Sequence, residues 1–195
     1  WHYPPPFLFV ASVLAQFPYA VAFSGWMAVS VVPYAAVVRA IVGRPFGVIL
    51  AIACPMVFSN TLVGQNGFLT AALIGGTLYF IPVRPVLAGI CLGLLSYKPQ
   101  YGLLFPLVLI AAGQWRVFTS AAVTVIALAF ASWLAFGMEA WKAFFHWIPT
   151  FSQAFLSEGQ AMWWKLQSLY SLTRYLGGTE SFAWGVHWVF VASVA

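Results

Sequence analysis

Four short polar groups interrupt an otherwise apolar chain, and chemistry has few other places to sit. Lys98-Pro99-Gln100 puts one ammonium between two apolar runs. A charge there is costly unless its stem carries it to the interface or an anion neutralises it. A lipid phosphate at the membrane surface is the natural anion. Gly64-Gln65-Asn66-Gly67 combines glycines that permit a tight turn with amides that both donate and accept. It is either an ordinary polar turn between helices or a binding site. In the run from Lys165 to Arg174, Leu166, Leu169, Tyr170 and Thr173 recur at helical spacing. That spacing predicts a helix lying on the membrane, with Lys165, Gln167, Ser168 and Arg174 available to a site, or an interfacial amphipathic helix without a ligand. Tyr3-Pro4-Pro5-Pro6 fixes an extended entry, and physically it reads first as a rigid lead-in to a helix.

The remaining candidates are single residues. His146 lies among Trp141, Phe145 and Trp147, where rings with one polar group either line a sugar site or form an interfacial aromatic belt. The belt is the simpler reading. His2 and His187 are isolated. Cys54 and Cys91 sit in apolar runs and read as packing residues. No metal-ligand spacing is present.

The elements that must hold these groups are apolar almost throughout. Of 195 residues, 63% are hydrophobic and 6% charged, against about 25% charged in an ordinary soluble domain. So few charges cannot cover a water-facing surface, and lipid removes the need. Aromatic residues make up 18%, with ten tryptophans, which suits rings anchored at membrane interfaces. The net charge of +5 comes from eight basic residues scattered singly and three glutamates, Glu139, Glu158 and Glu180, with no aspartate. Scattered cations between apolar blocks mark membrane boundaries and argue against nucleic acid as a partner.

Apolar runs fall at residues 19–38, 46–59, 68–81, 86–97, 101–112 and 117–137, with a further run at 182–195 and a short leading one at 7–17. Residues 117–137 form a full-length span, whereas several others are too short to cross straight. Short helices ending at membrane depth require protein or water at their ends, and the ends here carry Gln65, Asn66 and Lys98. The leading run is expected to re-enter or lie in the interface. If the runs alternate, Arg39, Arg44, Arg84 and Arg116 share one side, which the arginine-only short loops mark as cytoplasmic. The polar-aromatic stretch 138–181 is then one long extracytoplasmic loop. The expectation is an all-α, polytopic transmembrane bundle forming a single membrane-embedded domain. A start at Trp1 and an end inside an apolar run suggest an internal piece of a longer protein.

The order of the motifs is informative. Tyr3-Pro4-Pro5-Pro6 precedes a short apolar run, and Gly64-Gln65-Asn66-Gly67 precedes a helix. Arg84-Pro85-Val86-Leu87-Ala88-Gly89-Ile90-Cys91-Leu92-Gly93 leads to Lys98-Pro99-Gln100. Gln114-Trp115-Arg116 and then Gln167-Ser168-Leu169 follow. This resembles glycosyltransferase family 87, related to bacterial polyprenol-phosphate-mannose-dependent alpha-(1,2)-mannosyltransferases, over nearly the whole chain. The resemblance implies a GT-C type membrane enzyme of the bacterial inner membrane. Such an enzyme transfers a hexosyl group, with mannose the expected sugar, from a polyprenyl-phosphate donor to a lipid or glycan acceptor on the extracytoplasmic face. It implies inversion, no nucleotide sugar and no cofactor. An aspartate base in the first extracytoplasmic loop is expected upstream of Trp1, so no base is assigned within the chain and the piece alone is expected to be inactive. Lys98 and Arg174 are the implied ligands of the donor phosphate. Tyr3, Gln65, Asn66, Gln100, His146, Gln167 and Ser168 are the implied substrate contacts. Two other classes use the same broken helices: a transporter or flippase for a lipid or small polar solute, and a non-catalytic membrane scaffold.

Overall fold

The computed structural model describes residues 3–154, 163, 166 and 168–194, and all regular structure among them is helical. A 3₁₀ turn, Pro5–Phe7, opens the chain and runs into α1, Leu8–Leu14. The helix α2 spans Tyr19–Val42, α3 Gly47–Ala53, α4 Pro55–Val63, α5 Gly67–Phe80 and α6 Pro85–Leu94. A second 3₁₀ turn, Leu95–Tyr97, follows α6. Then come α7, Pro99–Gly102, α8, Phe105–Ala111, and α9, Trp115–Ser152, which breaks at Gly137. The chain continues with α10, Leu169–Tyr175, and α11, Glu180–Val194. The described residues divide into two compact units, Tyr3–Lys142 and the described part of 143–195.

Proline sets where several of these helices begin. Pro55, Pro85 and Pro99 each occupy the first position of their helix. There the missing N–H is one that no helical carbonyl would accept, and φ is already helical. The residue before each proline is pushed out of the helical region: Cys54 has φ −64°, ψ 123°, Arg84 φ −145°, ψ 72°, and Lys98 φ −133°, ψ 74°. This is why the expected run 46–59 is two helices, broken at Cys54-Pro55. Glycine sets the ends of others: Gly43 and Gly64 close α2 and α4 with φ of 68° and 66°. The charged Arg39 does not stop α2, which continues to Val42.

Two helices, Tyr19–Val42 and the first part of Trp115–Thr150, are long and apolar enough to cross a membrane. In each, only 11% of the most apolar window is buried in the protein. A soluble protein buries such a helix; here Val29, Val32, Ile126 and Leu134 point outward, each about two-thirds exposed. The described surface therefore matches lipid rather than water.

In the first unit, α5 packs between α2 and α6. Leu73, Ala88, Leu92, Leu95, Tyr97, Leu109, Val117 and Ala121 form its core. Gly89 and Gly93, four apart on α6, lie directly on α9. A Cβ on Gly89 would meet the Val117 carbonyl and the Ala121 amide, and one on Gly93 would meet Thr124 and the Ala121 carbonyl. Close approach through small residues is how helices associate without a hydrophobic driving force. The Ser120 hydroxyl donates to the Val86 carbonyl at 2.8 Å across the same seam.

In the second unit, α10 packs on α11. The buried Tyr170 ring lies 4.6 Å from Trp184, and Ala183 is fully buried. The stretch 138–181, expected as one long loop, is helical up to Ser152 and again at Leu169–Tyr175. The Ser168 hydroxyl caps α10 by accepting from the Ser171 amide at 3.1 Å. Ser168→Ala should therefore lower stability by about 1 kcal/mol, seen as faster hydrogen exchange in α10, and leave donor affinity unchanged. A loss of donor affinity without a change in exchange would return Ser168 to a substrate-contact role.

Candidate functional site

The amide turn is built by a residue outside it. Asn60, in the last turn of α4, donates from Nδ2 to the Gln65 carbonyl at 3.0 Å and accepts the Gly67 amide on Oδ1 at 3.1 Å. The Gln65 amide in turn donates to the Asn60 carbonyl at 3.1 Å. One side chain thus ties both ends of Gln65-Asn66-Gly67. The two glycines serve different needs. Gly64 takes the left-handed conformation and lies against the Phe23 ring, whereas a Cβ on Gly67 would collide with Asn60 Oδ1. Asn60→Ala should cost about 1–2 kcal/mol from the two lost bonds. Gly67→Ala should cost as much by steric conflict. The double variant should cost clearly less than the sum, because removing the amide relieves the clash. Thermal unfolding of the four proteins in one detergent measures this, and strict additivity would refute the staple.

The turn exposes Gln65 and buries Asn66. Asn66 is 4% exposed, and its Oδ1 has no hydrogen-bond partner among the described residues. Its backbone carbonyl accepts from the Thr70 hydroxyl at 2.9 Å, and the same hydroxyl pairs with the Tyr97 hydroxyl at 2.8 Å. The Tyr97 ring stacks on Phe7 at 5.4 Å and lies 6.3 Å from Tyr3. Tyr3 packs on Phe7 at 4.7 Å, and Trp26 meets Phe7 edge-on at 6.2 Å. The proline lead-in, with Pro4 and Pro5 buried, thus delivers Tyr3 to the far end of this chain of contacts.

Lys98 follows Tyr97 directly, in the turn between α6 and α7 and outside the two long apolar helices. Its ammonium lies 5.6 Å from the Tyr101 ring, and no carboxylate faces it among the described residues. Burial alone lowers its pKa from the ordinary lysine value. An anion bound there would favour the charged form and offset that shift. Gln100 is exposed on α7.

The structure therefore joins Tyr3, Asn66 and Lys98 through Tyr97 and Thr70. In the second unit the Arg174 guanidinium donates to the Gly178 carbonyl at 3.0 Å and stacks on Trp163 at 5.4 Å, with its buried Nε lacking a partner among the described residues. Ser168 is engaged as the cap of α10. His146 is exposed, edge-on to Trp147 at 6.2 Å. Lys165 and Gln167 lie outside the described residues. Thr70 and Tyr97 were not singled out from sequence, because their pairing joins residues 27 apart. Asn60 carried a readable signal, an amide closing an apolar run seven residues before a glycine.

A turn of buried and exposed amides, a ring cluster and a lysine without a counterion suit a ligand that carries hydroxyls and an anion. The family model for glycosyltransferase family 87 matches residues 1–195. The chain belongs to that family. Comparison with curated proteins and with solved structures gave no match. As a family 87 member the protein is a membrane glycosyltransferase, and the all-α architecture expected from its composition is the one observed. A glycosyltransferase requires a sugar donor and an acceptor.

Proposed function

We propose that this family 87 glycosyltransferase is a GT-C type, inverting hexosyltransferase. Its donor is a polyprenyl-phosphate sugar, with mannose the favoured hexose, and its acceptor a lipid or glycan. The site lies on the extracytoplasmic face of a multi-pass protein of the bacterial inner membrane, within a single membrane-embedded domain. The polar-aromatic stretch 138–181 is assigned to that face.

The acceptor hydroxyl attacks the anomeric carbon, the bond from that carbon to the phosphate oxygen breaks, and polyprenyl phosphate leaves. Negative charge grows on the leaving phosphate, and a positioned cation stabilises it. Lys98 has that role, with Arg174 as a second cation. Gln65, Asn66 and Gln100 take sugar hydroxyls, Tyr3 and His146 contribute ring surface and a polar edge, and Gln167 completes the substrate contacts, whereas Ser168 serves through its cap of α10. The proton of the acceptor goes to a carboxylate. The chain has no aspartate, and the reading assigns this base to an aspartate N-terminal to residue 1.

The observation that carries the reading is Lys98, a half-buried ammonium beside an aromatic cluster with no carboxylate facing it among the described residues. The test is the full-length protein in proteoliposomes with radiolabelled polyprenyl-phosphate-mannose, following label transferred to acceptor lipids and label moved across the bilayer. Transfer supports the reading. Movement without transfer would make the protein a lipid transporter and Lys98 a pathway residue.

A further inference from the structure

Contacts between the helices of the first unit fix which residues share an end. Gly75 of α5 lies on Val37 and Ile41 of α2, and Gly64, just before α5, lies on Phe23. So α2 and α5 run in the same direction. α6 runs against them: the Thr70 hydroxyl meets that of Tyr97 just past the end of α6, and the Thr77 hydroxyl reaches the Ala88 carbonyl near its start. The Ser120 hydroxyl bonds the Val86 carbonyl, so α9 begins beside the start of α6. The amide turn, Tyr97 and Lys98 therefore share one end of the unit, and Arg39, Arg44, Arg84 and Arg116 share the other. The arginine end holds no carboxylate among the described residues. Glu139, the one acid between residues 3 and 142, lies beyond the Gly137 break of α9 and pairs with Lys142 at 2.8 Å.

Two of the four arginines line one cleft. Arg39, in the last turn of α2, and Arg44, in the turn that follows, enclose about 330 Å³ with Ala36, Ala40, Gly43 and Pro45. Backbone sets its shape. The Gly43 amide donates to the Arg39 carbonyl and the Gly47 amide to the Arg44 carbonyl, each at 3.0 Å. A Cβ on Gly47 would meet the Arg39 Cα at 2.9 Å, so the start of α3 is pinned against the last turn of α2. A Cβ on Gly43 would meet nothing within 4 Å, which leaves the floor of the cleft open. Both arginines are exposed, and neither guanidinium has a hydrogen bond or ion pair among the described residues. The other four lining residues are small and offer no charge. The recognising chemistry is thus two planar forks of N–H donors, the arrangement that matches a phosphate.

The surroundings favour one source of that phosphate. Ile41 and Phe46, each next to a lining residue in the chain, leave exposed apolar surface beside the cleft. A free anion gains nothing from that surface, whereas a phosphodiester carrying acyl chains does. A headgroup with its own ammonium would find no carboxylate to receive it. Basic pockets at a membrane boundary are suited to anionic headgroups for these reasons.

We infer that the cleft between Arg39 and Arg44 binds the phosphodiester of an anionic phospholipid, at the end of the first unit opposite the amide turn and Lys98. Which lipid donates the sugar does not enter this assignment, and no bond is made or broken in the binding step.

The test titrates the full-length protein in detergent with phosphatidylglycerol or with phosphatidylcholine of the same acyl chains, and counts bound lipid by native mass spectrometry. Phosphatidylglycerol should bind about twenty-fold more tightly, the combined effect of two basic residues at a membrane surface. Arg39→Gln and Arg44→Gln should each weaken it about five-fold and leave phosphatidylcholine unchanged. Arg116→Gln, at the same end but outside the cleft, should change little. All three variants should melt with the parent, because the replaced arginines of the cleft have no partner to lose. Equal losses at Arg39, Arg44 and Arg116 would mean a general positive surface and overturn the cleft. Equal binding of the two lipids would overturn the anionic headgroup. Displacement of phosphatidylglycerol by glycerol 3-phosphate at matched concentration would make this a site for free phosphate esters and overturn the lipid.

Discussion

Lys98→Ala should reduce the rate of sugar transfer at saturating donor about 10²- to 10³-fold, the loss typical of removing one preorganised group that stabilises developing charge. The arginine variant should recover only part of this, because a planar fork does not reproduce a compact ammonium. The distinguishing quantity is the split between kcat and KM. A cation that stabilises the leaving phosphate acts more strongly in the transition state than on the bound donor, so kcat should fall further than KM rises. Among the described residues the side chain has only the Tyr101 ring as a partner, so thermal stability should change by less than about 0.5 kcal/mol. Normal turnover in a folded Lys98→Ala protein would rule out the phosphate role. Steady-state transfer assays in proteoliposomes, paired with a thermal melt of the same preparation, separate these outcomes.

The paired substitution Gly89→Val and Gly93→Val should cost about 3 kcal/mol and lower the yield of folded protein sharply. Backbone is part of the obstacle at both sites: the Val117 carbonyl and Ala121 amide beside the Ser120 Cβ at Gly89, and the Ala121 carbonyl beside the Thr124 side chain at Gly93. Backbone cannot rotate aside as a side chain does, so α6 and α9 would have to separate. That separation would also break the Ser120 to Val86 hydrogen bond. Gly25 is the control. It lies in α2, and a Cβ there meets nothing within 4 Å, so Gly25→Ala should be neutral or slightly stabilising. Denaturation in a fixed detergent compares the two. A paired valine variant as stable as the parent would mean that the α6–α9 seam carries no packing of consequence.

How far the sequence foretold this structure depends on which physical signal marks each boundary. Hydropathy located α5 at 68–81 against the observed Gly67–Phe80, because a polar amide turn and the Pro82–Arg84 segment bound it on both sides. It placed the end of the long span at residue 137, where α9 breaks with Gly137 at φ 75°, ψ 174°. It ends α2 too early, at Val38, because Arg39 reads as a stop, although a long cation can extend past the apolar face while the helix continues to Val42. Helical spacing in the run from Lys165 to Arg174 pointed to the helix seen at Leu169–Tyr175, whereas hydropathy hid the helical residues 138–152, where Glu139 and Lys142 pair at 2.8 Å, three residues apart as a helix allows. The site was half legible for the same reason. Lys98 and the amide turn stood out as polar residues in apolar surroundings. Thr70 and Tyr97 did not, since a hydroxyl in an apolar helix announces nothing until its partner is seen in space.

The prolines that open α4, α6 and α7 bear on how this protein tolerates change. In water an unpaired first-turn amide is satisfied by solvent, and an alanine in place of a first-position proline is usually harmless or favourable by helix propensity. Lipid offers no acceptor. Pro55 opens α4 between two apolar helices, where the imide nitrogen leaves no hydrogen to satisfy, so drift to another residue creates a polar atom where none existed; Pro85 and Pro99 adjoin Arg84 and Lys98, where water can take an amide. Substitution preferences learned from water-soluble helices would therefore run in the wrong direction at Pro55, and replacing it with a good helix former would select for a less stable protein.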